Sequence, residues 1–303
     1  MIDLIGDIHG HADKLKALLD KLGYVLKNGT YTHLERKILF VGDYIDRGPQ
    51  IRETLMIVKA MADSGDAIAL LGNHEYNALC FNASKIEGGH LRKHSIKNII
   101  QHYQTLLQFQ NKQAEYEAYL KWFKTLPLFY ETENFRATHA CWDNKIITFL
   151  KNKLWNNRLT DELIYQSATK KTHFNNAIDI TLKGKEISMP GDLFFIDKDG
   201  TKRTDIRIKW WEDPTKTNYK NISVESFEDL PEIPVDTDLL PNIDFYNTDD
   251  IPVFFGHYWL KGKPALYSHN ICCLDYSVAK NGCLVAYRFD GEKKLETSKL
   301  VFV

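Results

Sequence analysis

The sequence predicts an α/β fold built on a parallel sheet, and three observations predict it. Strand-like and helix-like segments alternate through the first third of the chain. The strands there end in glycine, with polar residues following at once. Strand signals then return after residue 251. Alternating strands and helices imply parallel strands joined by right-handed crossovers. In such sheets ligands collect beyond the carboxyl ends of the strands.

Taken in order, "IDLIG" precedes a stretch with Ala12, Leu15, Leu18, Leu19 and Leu22 on one helical face, and His11 reads as the start of that helix. "KILFVG" precedes a helical pattern through Leu55, Met56 and Val58, and "AIALLG" follows. Residues 94 to 126 carry strong helical periodicity, in Ile96, Ile99, Ile100, Tyr103, Leu106 and Leu107, then Tyr116, Tyr119, Leu120 and Phe123. The polar "QNKQ" divides them into two helices, and Pro127 marks the end. Some sixty residues after "FRATHACW" show no assignable pattern. Residues 225 to 250 hold nine Asp/Glu, no Lys/Arg and three prolines, and read as an extended, solvated crossing loop. "IPVFFGHYW", "ICCLDYSVA", "CLVAYRFD" and "KLVFV" are strand signals. Because candidate site residues flank the irregular middle, residues 1–303 read as one domain, with a helical insertion at about 90–127 and a variable cap at about 144–250.

The composition is that of a globular chain, 44% hydrophobic and 26% charged, with 39 Lys+Arg against 40 Asp+Glu. A formal charge of -1 carries no signature of a dedicated nucleic-acid binder. No run approaches the ~18 apolar residues of a membrane helix, and "MIDLIGD" lacks the basic start of a signal peptide. Five cysteines without CxxC spacing suggest reduced thiols and a cytoplasmic location.

Three segments share one design: "IGDIHG" (5–10), "VGDYIDRG" (41–48) and "LGNHE" (71–75) each end an apolar strand in Gly and add polar residues. Taken singly, such an aspartate caps a helix or makes a turn, and such a histidine is a satisfied core residue. Parallel strands, however, would bring Asp7, His9, Asp43, Asn73 and His74 to one sheet edge. Carboxylate, imidazole and amide oxygen without thiolate suit divalent first-row metals rather than a structural zinc site. The ligands are too many for one ion that also binds substrate. Two ions about 3.5 to 4 Å apart sharing a carboxylate fit them better.

GDIHG, GDYIDRG and GNHE together resemble the signature of the calcineurin-like metallophosphoesterases. The DRG ending is similar to the serine/threonine phosphoprotein phosphatase branch, which includes bacterial diadenosine tetraphosphate hydrolases. The resemblance is dense over residues 3 to 82 and recurs downstream. It implies an αββα sandwich of two mixed central sheets flanked by helices. It also implies that Asp7, His9 and Asp43 hold one metal and that Asp43, Asn73, His139 and His257 hold the other. "ATHACWD" supplies His139, with Ala140 and Cys141 where the family usually has glycines, and "FFGHYWL" supplies His257. The metals implied are manganese, with iron or zinc as alternatives.

The same resemblance implies attack on phosphorus by a hydroxide shared between the metals. His74 is the general acid, Asp46 orients it, and Arg47 and Asn73 bind the phosphoryl group. "KWWEDP" resembles the family's Trp-x-Asp-Pro stretch and places Asp213 near the site; Trp210 and Trp211 read equally as core aromatics. The arginine that normally follows has no match in "TKTNYKNI", and Arg207 or Lys209 would have to stand in for it. His11, His90, His94 and His269 are not assigned to metal, and Cys141 reads as a small buried apolar residue. The function expected is hydrolysis of phosphomonoesters, phosphoserine or phosphothreonine in proteins among them. The alternative is a dinucleoside polyphosphate hydrolase, and a non-catalytic metal-binding scaffold comes last. The partner is therefore a phosphorylated substrate, protein or nucleotide.

Overall fold

The computed structural model describes residues 1–196, 202–225, 230–236 and 244–303. In chain order come β1 (Ile2–Ile5), α1 (Ala12–Leu22), the hairpin β2 (Val25–Lys27) and β3 (Thr30–Thr32), β4 (Lys37–Phe40), α2 (Ile51–Asp63), β5 (Ala67–Ala69) and α3 (Asn73–Asn82). Next come α4 (Ile96–Gln108) and α5 (Gln113–Phe123), then β6 (Phe129–Glu131) and β7 (Arg136–Thr138). The middle of the chain forms α6 (Asn144–Lys153), α7 (Asp161–Ala168) and α8 (His173–Lys183). Short strands follow, β8 (Glu186–Ser188), β9 (Phe195–Ile196), β10 (Lys202–Arg203) and β11 (Asp205–Arg207), with one helical turn, α9 (Tyr219–Ile222). The chain then runs through β12 (Val253–Phe255), β13 (Ile271–Cys273), β14 (Asp275–Tyr276), β15 (Cys283–Phe289) and β16 (Leu300–Phe302).

Two mixed sheets result. The first has the order β14-β15-β1-β4-β5, with β16 also on β15; β1, β4 and β5 are mutually parallel, and β15 runs antiparallel to β1. The second has the order β13-β12-β7-β6, with β12 parallel to both neighbours and β6 antiparallel to β7. Side-chain alternation along the strands decides how the sheets stack. Leu4, Leu39 and Leu70 of the first sheet share one buried cluster with Ala137, Phe254 and Cys272 of the second. Their strand neighbours Ile5, Ile38 and Phe40 face the other way, onto Leu15, Leu18, Leu55 and Val58 of α1 and α2. The layers are therefore helix, sheet, sheet, helix, as the resemblance implied.

The apolar stripe of α1 is buried as its spacing predicts. The two helices expected between residues 94 and 126 form, but α4 is turned over. Ile96, Ile100 and Tyr103 are 79%, 68% and 52% exposed, while His102 and Thr105 are buried. What α4 buries is its polar face, because that face meets charged groups described below. In the acidic 225–250 segment the described residues form no helix or strand, whereas 226–229 and 237–243 lie outside the described residues. No helix among the described residues is long and apolar enough to cross a membrane.

Candidate metal centre

Five strands deliver polar residues to one end of the two sheets. Asp7 and His9 follow β1, Asp43 follows β4, Asn73 opens α3 just beyond β5, His139 follows β7, and His257 follows β12. His9, Asp43 and His257 are all buried, at left-handed backbone angles of φ +46°, +56° and +74°. Asp46 and Arg47 share the conformation, both at φ +67°. Residues other than glycine adopt it at a cost, so its clustering marks a centre that the surrounding structure holds in place. Gly256 permits the closest approach: a Cβ there would sit 1.9 Å from Asp7 Oδ1.

Glu75 ties two of the tips together. Its carboxylate accepts the backbone N–H groups of Asp43 (2.9 Å), Tyr44 (2.8 Å) and Ile45 (3.2 Å), and reaches back to that of Gly72 (3.1 Å) at the start of α3. Burial, with the charge of Asp43, pushes the Glu75 carboxyl up to about 7.

The donor atoms converge on Asp43 Oδ2, which lies 3.6 Å from His9 Nε2, 3.5 Å from His139 Nε2 and 3.9 Å from His74 Nε2. Each ligand-type imidazole is oriented by its surroundings. His9 Nδ1 donates to Ile45 O (3.0 Å), and His139 Nδ1 donates to Val41 O (2.9 Å). Both Nε2 atoms are thereby left with lone pairs turned inward. His139 Nε2 and His257 Nδ1 lie 2.9 and 2.7 Å from Asn73 Oδ1. Asp7 Oδ2 accepts the His257 backbone N–H at 3.0 Å, while Asp7 Oδ1, His9 Nε2 and His257 Nε2 are buried with no hydrogen-bond partner. Orphaned buried acceptors are costly unless something positive meets them.

The titration of most of these groups agrees; His139 is the exception, raised because the Asp43 carboxylate outweighs its burial. Burial, then the charges of Asp275 and Asp43, push the Asp7 carboxyl well above its usual range. Burial, with the charge of His74, brings His9 down to about 4, and burial with the Arg207 charge holds His257 well below its ordinary value. Unprotonated imidazoles beside a crowd of buried carboxylates make a donor set for cations. Two overlapping groups, His9–Asp43–His74 and Asp43–His139–His257, have ligand atoms within 4.8 Å of one another.

His74 differs from the rest because its Nδ1 is already engaged, donating to Asp46 Oδ2 at 2.5 Å. Burial lowers the His74 pKa, but the Asp43 charge and the bond to Asp46 outweigh it and raise it. Burial works the other way on Asp46, where hydrogen bonds from His102 and His74 prevail and hold its carboxyl below the usual range. Beside the pair opens a cleft of about 370 Å³, lined by Arg47, Arg92, Lys183, Arg207 and Lys280 among others.

A family model for calcineurin-like phosphoesterases matches residues 1–258, from the first strand to the residue after His257. The chain belongs to that family. Over 142 residues it is 34% identical to the asymmetrical bis(5'-nucleosyl)-tetraphosphatase PrpE of Oceanobacillus iheyensis, covering 46% of this chain and 54% of that one. It is 32% identical over 139 residues to the symmetrical bis(5'-nucleosyl)-tetraphosphatase of Psychromonas ingrahamii, 45% of this chain and 42% of the relative. The chain thus spans about half the length of the curated relatives it matches. A solved structure described as a putative diadenosine tetraphosphatase aligns over 100% of this chain and 92% of its own, with a TM-score of 0.45 and 17% identity.

All the residues that the family resemblance pointed to as metal or proton-transfer groups therefore meet at one place. Arg47 lines the cleft, its guanidinium 5.5 Å over the Trp259 ring. Asp213 is engaged elsewhere, capping a short turn through Thr215 N (3.0 Å) and pairing with Lys216. Trp210 is a core aromatic whose indole N–H donates to Ala140 O. Of the two substitutes for the unmatched arginine, Arg207 lines the cleft, whereas Lys209 donates to Asn221 O and pairs with Glu212. Cys141 is buried with its thiol pushed up by burial, as a small apolar residue would be placed. Sequence reasoning missed Glu75, Asp275 and His102. For His102 a signal existed: with Thr105, three residues on, it shares the helix face opposite the apolar stripe.

Proposed function

We propose that this chain is a metal-dependent phosphoesterase that hydrolyses a phosphoanhydride bond in dinucleoside polyphosphates. The observation that carries the reading is the cleft, where five cationic side chains stand around one cavity beside the convergent Asp43 donor set. One phosphoryl group is satisfied by two or three donors, whereas a chain of phosphates needs cations spread along it. The names of the tetraphosphatase relatives support the same substrate class. Phosphomonoesters, the first expectation from sequence, remain a second reading. The His74–Asp46 pair favours it, because an alkoxide leaving group needs a proton more than a nucleotide phosphate does.

In either reading Asp7, His9 and Asp43 would hold one divalent cation, and Asp43, Asn73, His139 and His257 the other. Manganese, iron and zinc all suit these donors. Such cations lower the pKa of water and neutralise phosphoryl oxygens. The chain's own residues do the rest. Arg47 grips phosphoryl oxygens; with Oδ1 of Asn73 turned to two imidazoles, its Nδ2 is left for the substrate. His74 Nε2 gives its proton to the leaving oxygen while Asp46 holds the ring.

The test is a panel with added Mn²⁺: diadenosine tetraphosphate, p-nitrophenyl phosphate, its bis-ester and a phosphopeptide, with products separated by ion exchange. The dinucleotide is expected to show the highest kcat/KM. A higher value for either monoester shifts the assignment to the second reading. His74→Ala is expected to lower turnover by about 10²- to 10⁴-fold while metal content stays at the wild-type level. Loss of both metals in that variant would make His74 a ligand rather than an acid.

A further inference from the structure

The buried polar face of α4 ends on the carboxylate that holds His74. Asp46 Oδ1 accepts from His102 Nδ1 at 2.8 Å and from Thr105 Oγ1 at 2.5 Å, and Thr105 Oγ1 in turn accepts the Asp46 backbone N–H at 3.1 Å. With its Nδ1–H committed, His102 Nε2 is left to accept from the Tyr116 hydroxyl of α5 at 2.6 Å. The Tyr116 oxygen accepts from Asn82 Nδ2 of α3 at 3.0 Å. Donors thus run in one direction, from Asn82 through Tyr116 and His102 to Asp46, and the other Asp46 oxygen is left for His74.

We propose that His102 is a positioning residue for proton transfer, acting through Asp46 to fix the ring of His74. The inference rests on the phosphoesterase reading. Aspartate has a two-fold, soft terminal torsion, so a carboxylate held at one oxygen only can turn away from its partner. Two donors on Oδ1 remove that freedom. They also leave Oδ2 with one direction to point, toward His74 Nδ1.

In the step concerned, the water oxygen bonds to phosphorus as the ester oxygen leaves. The leaving oxygen takes the His74 Nε2 proton, and the proton shed by the water restores His74. A ring that wanders makes this transfer infrequent. The penalty grows with the basicity of the leaving oxygen, since a good leaving group departs without a proton. A merely structural role for His102 would not depend on the leaving group at all.

The experiment compares phenyl phosphate, a poor leaving group, with 2,4-dinitrophenyl phosphate, a good one, in Mn²⁺-loaded wild type, His102→Ala, His102→Asn and Tyr116→Phe. For His102→Ala, kcat on phenyl phosphate is expected to fall by about 10- to 100-fold, with KM and the dinitrophenyl rate within about twofold. His102→Asn keeps an N–H near the Nδ1 position and should restore most of the loss. Tyr116→Phe leaves the ring packed and should fall in the same direction by a few-fold. Equal losses on both esters, or none, overturn the proposal.

A second measurement does not use activity. In metal-free protein, proton NMR of the imidazole N–H groups should show the His74 Nδ1 proton far downfield, and His102→Ala or Tyr116→Phe should shift it. An unmoved resonance in a folded variant overturns the positioning role. Should the wild type hydrolyse neither these esters nor diadenosine tetraphosphate, the phosphoesterase reading fails, and the NMR result alone decides what His102 does to His74.

Discussion

His9, Asp43, Asp46, Arg47 and His257 share a backbone conformation that residues with a Cβ disfavour, yet none is replaced by glycine. Their side chains are the reason the strain is tolerated, roughly 1 kcal/mol or more at each position. Gly256 shows the converse, a place where a side chain cannot be borne. Its added Cβ would collide with Asp7 Oδ1 at 1.9 Å, so Gly256→Ala is expected to displace that carboxylate and weaken metal binding in a protein that still folds. Isothermal titration with Mn²⁺ checks this, and wild-type affinity would show that Asp7 has room to move. Asp7, Asp43 and Asn73 were legible because each follows an apolar strand closed by glycine. Glu75 and Asp275 were not, because their partners are backbone amides of other segments, which sequence spacing does not reveal.

At the scale of elements, α4 is the case where periodicity gave the helix and not its orientation. Its apolar stripe would by itself be read as the packed face. The buried face is polar because Asp46, with a carboxylate in need of donors, lies on that side. The edge of the second sheet carries a different charge arrangement. Glu131 of β6 accepts from Arg136 Nε of β7 at 2.9 Å and from Lys151 of α6, and Arg136 also reaches Asp250. Burial raises the Glu131 pKa, but these two cations overcome it and hold the carboxyl below its ordinary 4.5. A carboxylate depressed in the folded state stabilises the protein fully above the unfolded value and loses that contribution as pH falls through the folded one. Glu131→Gln should therefore flatten the fall in Tm between about pH 5 and pH 3. Superimposable acid limbs for variant and wild type would refute the coupling.

At the scale of the whole molecule, Arg36 binds the two ends of the chain into the first sheet. It donates to Asp3 (2.9 Å), to the carbonyls of Ile2 and Phe289 (both 3.1 Å) and to Asp290 (2.5 Å). Asp3 is fully buried, so removing its nearest cation leaves a charge with too little compensation. Arg36→Met is expected to cost about 3 to 5 kcal/mol of unfolding free energy, read by urea denaturation, with kcat unchanged in the folded protein. A change below about 1 kcal/mol, the range of exposed ion pairs, would mean that Arg288 takes over the Asp3 charge. The parallel strands of the first sheet could be read from the alternation of strands and helices, whereas the layered order came only with the family resemblance. The irregular middle could not be read, because α8 packs against both α6 and α7, and α7 against α3, contacts that no period in the sequence announces.

The bond from the His257 backbone to Asp7 joins residues 250 apart. During synthesis, Asp7, His9, Asp43, Asn73 and His139 are all delivered long before their last companion, so the centre cannot close while the chain is still growing through its middle. Contacts of such long range form late in folding. Metal capture would thus report completion of the fold, and a chain arrested before β12 would hold no more than the donors of the early strands.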